Sequence, residues 1–208
     1  DLKIDNTSYY NGVLNAGTTW ELDDLTDQLF FNFNDIKPGD IGEDTISLHA
    51  ENDAWVCAEF SLTENNDNTC TEPEVLDDLA CTDPETPGNA NLFDGELAQN
   101  VNFAFWTDDG DNDLETNEEV FASGSANQVL NNNTVALADS LVNNLGEPDG
   151  ASMSGVIPHY IGKAWCFGIL TQSPVTQGQG VSPAVNGGVT CDGTSLNNAT
   201  QTDKLLAD

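Results

Sequence analysis

The sequence predicts an all-β protein, a jelly-roll-like β-sandwich with short helices and long disulfide-tied loops. Three observations carry this. Short segments of alternating polarity recur along the chain, separated by Gly, Pro, Asn and Asp. Helical periodicity is scarce and brief. The cysteines, at 57, 70, 81, 166 and 191, form no CxxC pair and suit disulfides better than a zinc site.

Taken in order, "DLKIDNTSYYNG" (1–12) alternates weakly, with Leu2, Ile4 and Tyr9 or Tyr10 as apolar contacts, and ends in an Asn-Gly turn signal. "LFFNF" (29–33), "DTISLHA" (44–50), "AWVCAEFSL" (54–62), "VNFAFW" (101–106) and "YIGKAWCFGIL" (160–170) each read as a strand. The runs Thr45–Leu48 and Val101–Phe105 alternate at period two, the pattern of a strand with one face on a core and the other in water. Between the first two of these strands, Lys37-Pro38-Gly39-Asp40 reads as a type II turn, with Pro fixing φ and Gly allowing φ > 0. Lys37 there offsets some repulsion among Asp35, Asp40, Glu43 and Asp44. Helical candidates are "EPEVLDDLA" (72–80), "FDGELAQN" (93–100) and "TVALADSLVNNLG" (134–146). The closing "TQTDKLLAD" (200–208) is able to form a further strand. Residues 13–208 make one domain, with polar insertions at 63–92 and 172–200.

Four Lys+Arg against 36 Asp+Glu give a formal charge of −32. Phosphate backbones are bound by neutralising them, so the composition argues against nucleic-acid partners, and against anionic membrane surfaces for the same reason. No apolar run is long enough to cross a bilayer. The chain opens on Asp1 and is read as a processed, secreted form at the cell surface or outside it. At 38% apolar residues, with four tryptophans inside apolar or alternating segments, it has enough to bury a core. Cys70 and Cys81 flank a short polar loop and are expected to pair. The pairing of Cys57, Cys166 and Cys191 stays open, and an odd count leaves a free thiol or a bond to another chain.

The sharpest chemical motif is "WTDDGDNDLETNEEVF" (106–121). Asp109, Asp111 and Asp113 alternate and are followed by Glu115 and Glu118. Oxygen ligands at every second residue, closed by a later Glu, are how a loop wraps six to eight oxygens around Ca²⁺. The match to an EF-hand loop is incomplete, because Leu114 stands at the sixth position and Val120 at the twelfth. The motif is therefore expected as a calcium loop after a strand, and its alternative is a solvated acidic hairpin tip. Catalytic constellations are weak. His49 and His159 are the only histidines, and neither sits in HExxH. No serine lies in a GxSxG elbow. Asn6, Asn132 and Asn198 satisfy N-x-[ST] and are candidate glycan acceptors.

"GTTWELDDL", "NDIKPGD" and "DTISLHAENDAWVCAEF", all within residues 1–62, resemble the N-terminal part of the TasA/camelysin family of proteins exported through a SipW-type signal peptidase. The resemblance implies a jelly-roll-like sandwich that polymerises head to tail into extracellular matrix fibres, each subunit donating its N-terminal segment to its neighbour's sheet. Carried onto this chain, the donor strand is residues 1–12, with Leu2, Lys3, Ile4, Asp5, Tyr9 and Tyr10 along it and Leu2 and Ile4 entering the acceptor groove. Which terminus is donated stays open. The family's reported protease activity is not carried over, since no metal-protease motif is present. The expectation is a self-associating structural subunit without turnover. Its alternative is a monomeric Ca²⁺-binding adhesion or surface-layer module whose N-terminus folds back on its own sheet.

Overall fold

The computed structural model of the chain describes residues 1–79, 81, 93–178 and 183–208. The strands in the first half are β1 (Leu2–Tyr10), β2 (Val13–Leu14), β3 (Trp20–Asp23), β4 (Ile41–Ala50), β5 (Val56–Phe60) and β6 (Leu62–Asn66). After a one-turn helix α1 (Leu97–Asn100) come β7 (Val101–Asp108), β8 (Val120–Ser125), a second short helix α2 (Ala126–Val129) and β9 (Asn133–Ala138). The chain closes through β10 (His159–Phe167), β11 (Ile169–Gln172), β12 (Val189–Asp192) and β13 (Lys204–Ala207). Strands therefore dominate and the helices are short, as the alternation predicts.

One sheet organises the molecule, in the order β2-β1-β4-β10-β7-β8, with β3 also paired to β1. The smaller pairs β5–β9 and β6–β13 pack against one face of it. Ile4, Leu48, Ile161, Trp165, Phe103 and Phe105 from the large sheet meet Phe60, Leu62, Val135, Leu137 and Leu205 from the opposite layer. This is a sandwich, with alternate residues of each layer turned inward. The other face of the large sheet carries a smaller cluster of Trp106, Leu114, Ala164 and Val189, covered by the β7–β8 loop and the β11–β12 pair. The central strands β4, β10 and β7 thus have both faces covered. Period two in β7 marks two different cores rather than a core and water.

The core face of the large sheet is not wholly apolar. Asp44, Lys163 and Asn6 lie side by side on β4, β10 and β1, and all are buried. The ammonium of Lys163 is 2.9 Å from Asp44 and also donates to the carbonyl of Phe30. Asn6 donates to Asp44 (3.0 Å) and to the Thr18 carbonyl (2.7 Å). A buried ion pair needs such further hydrogen bonds to offset its desolvation.

Several expectations need correction. "LFFNF" forms no strand. β1 already occupies the edge of β4, so no ladder is open to it, and it is held by its rings instead. Phe31 and Phe33 lie 5.0 and 4.8 Å from Trp165, and Phe30 lies 5.3 Å from Trp20. The Lys37–Asp40 turn has its type II form, with Asp40 N donating to Lys37 O at 2.9 Å and Gly39 at φ +94°. It leads from this aromatic segment into β4 and closes no hairpin. The helix expected over 134–146 is instead β9 followed by a turn. Val135 and Leu137 point to the core, and the Asp139 carboxylate accepts from the backbone N–H groups of Leu141 and Val142. Among the described residues of the 72–80 segment only Glu74–Leu76 is helical, as a single 3₁₀ turn.

Cys70 pairs with Cys81, as expected. Cys166 pairs with Cys191, joining β10 to β12 and pinning the 172–200 insertion to the large sheet. Cys57 is free and exposed. The rest of the two insertions, at 80, 82–92 and 179–182, lies outside the described residues.

Candidate metal centre

The β7–β8 loop folds back over the outer face of the large sheet because its middle is anchored. Leu114, the residue that breaks the EF-hand pattern, is fully buried against Trp106 and Ala164. Its backbone N–H donates to Gly187 O (2.8 Å), and its carbonyl accepts from Val175 N (2.9 Å). Thr116 N donates to Val175 O at 2.9 Å. The loop is therefore stitched to the 172–200 insertion on both sides. Gly188 passes so close to Leu114 that an added Cβ would sit 2.1 Å from its carbonyl oxygen, and its φ is +75°. Only glycine fits there.

This anchoring sorts the five expected ligands. Asp109, Glu115 and Glu118 converge, one oxygen of each lying within 4.8 Å of the others. Asp111 and Asp113 stand outside that trio. Asp111 accepts from the Asp113 N–H (3.1 Å) and shapes the turn. Asp113 is wholly buried, and neither of its carboxylate oxygens has a hydrogen-bond donor. Glu115, also buried, accepts from Gly178 N through Oε1 (2.6 Å) and leaves Oε2 unmatched. Both carboxylate oxygens of Glu118 are engaged, by Asp109 N (3.0 Å) and Glu115 N (2.8 Å).

Three further residues join the site. Glu43 reaches the loop from β4; burial and the neighbouring Asp113 push its pKa up to about 8. Asp108, at the end of β7, accepts from the Trp106 indole (3.2 Å) and Gly110 N (3.1 Å), while burial pushes it up to about 7. Asn112 is buried with its amide unmatched, at φ +67°. Burial followed by Asp111, Glu115 and Asp109 raises Asp113 to about 7, and burial raises Glu118 to about 8. Glu43 and Asp44 are adjacent on β4 and so point to opposite faces, and only the fold shows that both are buried.

These donors are all oxygens, from carboxylates in an irregular loop, with no nitrogen or thiolate among them. That set suits Ca²⁺, which tolerates six to eight oxygens in uneven geometry. Unmatched buried carboxylate oxygens are otherwise costly. No lysine offsets them: Lys37 pairs with Asp35, Lys163 with Asp44 and Lys204 with Glu64, while Lys3 lies on β1.

The expected donor residues lie along β1, which is paired in antiparallel register with β4 of the same chain from Leu2↔Ala50 to Tyr10↔Gly42. Ile4 enters the core, Leu2 stays partly exposed, Lys3 and Asp5 face away, and Tyr10 packs on Trp165. Tyr9 pairs with Leu14 of β2 on the other side. The glycan acceptors divide. Asn132 and Asn198 are exposed, whereas Asn6 is buried and hydrogen-bonded, so the fold closes it to a glycan. His49 is a hydrogen-bonded strand residue, its Nε2 2.9 Å from Ser47 Oγ.

Fold and site together define a class: a disulfide-bonded, strongly acidic all-β sandwich with a carboxylate-lined loop over the outer face of its main sheet. No family model matches the chain, and no curated protein or solved structure matches it significantly.

Proposed function

We propose that the chain works outside the cell as a structural β-sandwich module whose β7–β8 loop binds Ca²⁺, and that its role is binding and assembly rather than turnover. The observation that carries the reading is Glu115: a buried carboxylate whose Oε2 has no donor, converging with Asp109 and Glu118 in a loop that also buries the unmatched Asp113. A bound cation satisfies those oxygens and fixes the loop against the sheet. Two disulfides fit an oxidising setting, which supports export. Among the described residues no helix is long and apolar enough to cross a membrane. Thermal unfolding tests the reading: Ca²⁺ is expected to raise Tm of the wild-type chain and to do so much less for Glu115→Gln. Equal Tm with Ca²⁺ and with chelator would refute it.

A second reading, a filament subunit joined by donor-strand exchange, is favoured by the form of β1. It is a nine-residue N-terminal strand whose alternate residues Ile4, Asn6 and Ser8 fill a slot beside β4. The same slot in a neighbouring copy accepts an identical strand. Electron microscopy of the purified protein distinguishes the two, since only exchange predicts long ordered filaments that are lost when residues 1–12 are deleted.

A further inference from the structure

We propose that a second divalent-cation site, separate from the β7–β8 loop and suited to Ca²⁺, lies where the end of β6 and the start of β13 meet, with Glu74, Asp203, Asp67 and Glu96 as its carboxylates. One oxygen each from Asp67, Glu74 and Asp203 lies within 4.8 Å of the others, a spread that fits a coordination sphere with bonds of about 2.4 Å.

The local burial is inverted in a way that calls for a ligand. In the 3₁₀ turn after Pro73, Val75 and Leu76 are exposed while Glu74 has no exposed surface at all. Four residues on, Leu79 is 92% exposed while Asp78 is buried. Turning acids inward and leucines outward costs free energy on both counts. Glu74 Oε2 accepts from Thr71 N (3.0 Å), but its Oε1 is buried with no donor. Oδ1 of Asp203, Oε2 of Glu96 and Oδ1 of Asn66 are likewise buried without a donor.

The surroundings hold this cage in place. Asp203 Oδ2 accepts from the backbone N–H groups of Glu96 (2.7 Å) and Leu97 (2.9 Å), and its carboxyl also meets that of Asp67. Asn65 accepts from Ala98 N (2.8 Å) and donates to Gly95 O. The Cys70–Cys81 disulfide closes the segment that carries Glu74. Because those cysteines are oxidised and no histidine is near, the donors are oxygens only, which selects a hard cation over zinc. Lys204, next to Asp203 in sequence, is drawn to Glu64 at 2.6 Å rather than to the cage. A cation here ties β13 to β6 and to α1, and so locks the C-terminal strand.

The test uses the full chain stripped with a chelator, with Ca²⁺ as the titrant. Calorimetry of the wild type is expected to show two equivalents, and Glu74→Gln/Asp203→Asn to lose one of them with at least a tenfold drop in affinity. A double variant that keeps every wild-type equivalent overturns the proposal. If the wild type binds only one, its loss in Glu74→Gln/Asp203→Asn upholds this site and refutes the loop site. Its loss in Asp113→Asn/Glu115→Gln does the reverse. Hydrogen exchange on the wild type needs no variant: Ca²⁺ is expected to slow exchange in β6 and β13, and unchanged exchange there contradicts the site.

Discussion

The Nζ of Lys163 sits 2.9 Å from Asp44 Oδ2 inside the sandwich, with Asn6 of β1 donating to the same carboxylate. This joins three adjacent strands through one buried charge pair. Removing one partner strands the other, so Lys163→Met or Asp44→Asn is expected to cost about 3–5 kcal/mol. The combined Asp44→Leu/Lys163→Met change should cost much less than the sum of the single ones. Urea unfolding midpoints check both statements, and additive losses would show that the pair is not coupled.

Trp106 packs over Gly162 on the outer face, where a Cβ on residue 162 would come within 2.0 Å of the indole. Gly162→Ala must displace a fully buried ring, and overpacking of this kind costs about 1–3 kcal/mol. Because Trp106 also backs Leu114, the same change should weaken Ca²⁺ binding by the β7–β8 loop. A lower Tm with unaltered Ca²⁺ affinity would separate the two roles.

Stability without Ca²⁺ should fall as pH rises. Burial, more than any other cause, pushes Glu43 and Glu118 up to about 8 and Asp108 and Asp113 up to about 7. Unfolded carboxylates titrate near ~4, so between about pH 4 and pH 8 the folded state holds protons that the unfolded state has released, and rising pH favours unfolding. Asp40 works the other way. Burial pushes its carboxyl up, but hydrogen bonds from Tyr10 OH (2.5 Å), Asn11 (2.9 Å) and Lys37 N (2.7 Å) hold it below the usual range. Its contribution is present above the unfolded pKa and lost as pH falls through the folded one. Ca²⁺ binds the deprotonated forms, so its stabilising effect should be larger at pH 8 than at pH 5. Thermal scans at both pH values, with Ca²⁺ and with chelator, check the sign.

The native protein should show one reactive thiol, Cys57. Replacing Cys166 and Cys191 by Ser opens a loop closed over a separation of 25 residues, a loss of about 3–4 kcal/mol on the chain-entropy account. Thiol titration and unfolding of the double variant provide the measurements.

How much of this was legible in the sequence follows from what each signal depends on. Strands β4 and β7 announced themselves by period two, a property of the strand alone. "LFFNF" carried the same local signal, yet the ladder edge it needed is taken by β1, a fact set by pairing 30 or more residues away. Residues 134–146 looked helical because Asp139 and the leucines mimic a helical face, while Val135 and Leu137 answer to β5. At the site, Asp109, Asp111, Asp113, Glu115 and Glu118 were visible as a local run. Leu114 read as a defect in the motif and is its anchor. Glu43 and the second acidic cage were hidden, since Asp67, Glu74, Glu96 and Asp203 meet only through the fold.

Calorimetric titration of Ca²⁺ into the chelator-stripped full chain bears most directly on the loop that defines the proposed role. Saturable binding to the wild type, with one equivalent lost in Asp113→Asn/Glu115→Gln, is the result expected. An isotherm unchanged by that double substitution, or no heat of binding at all, would contradict it.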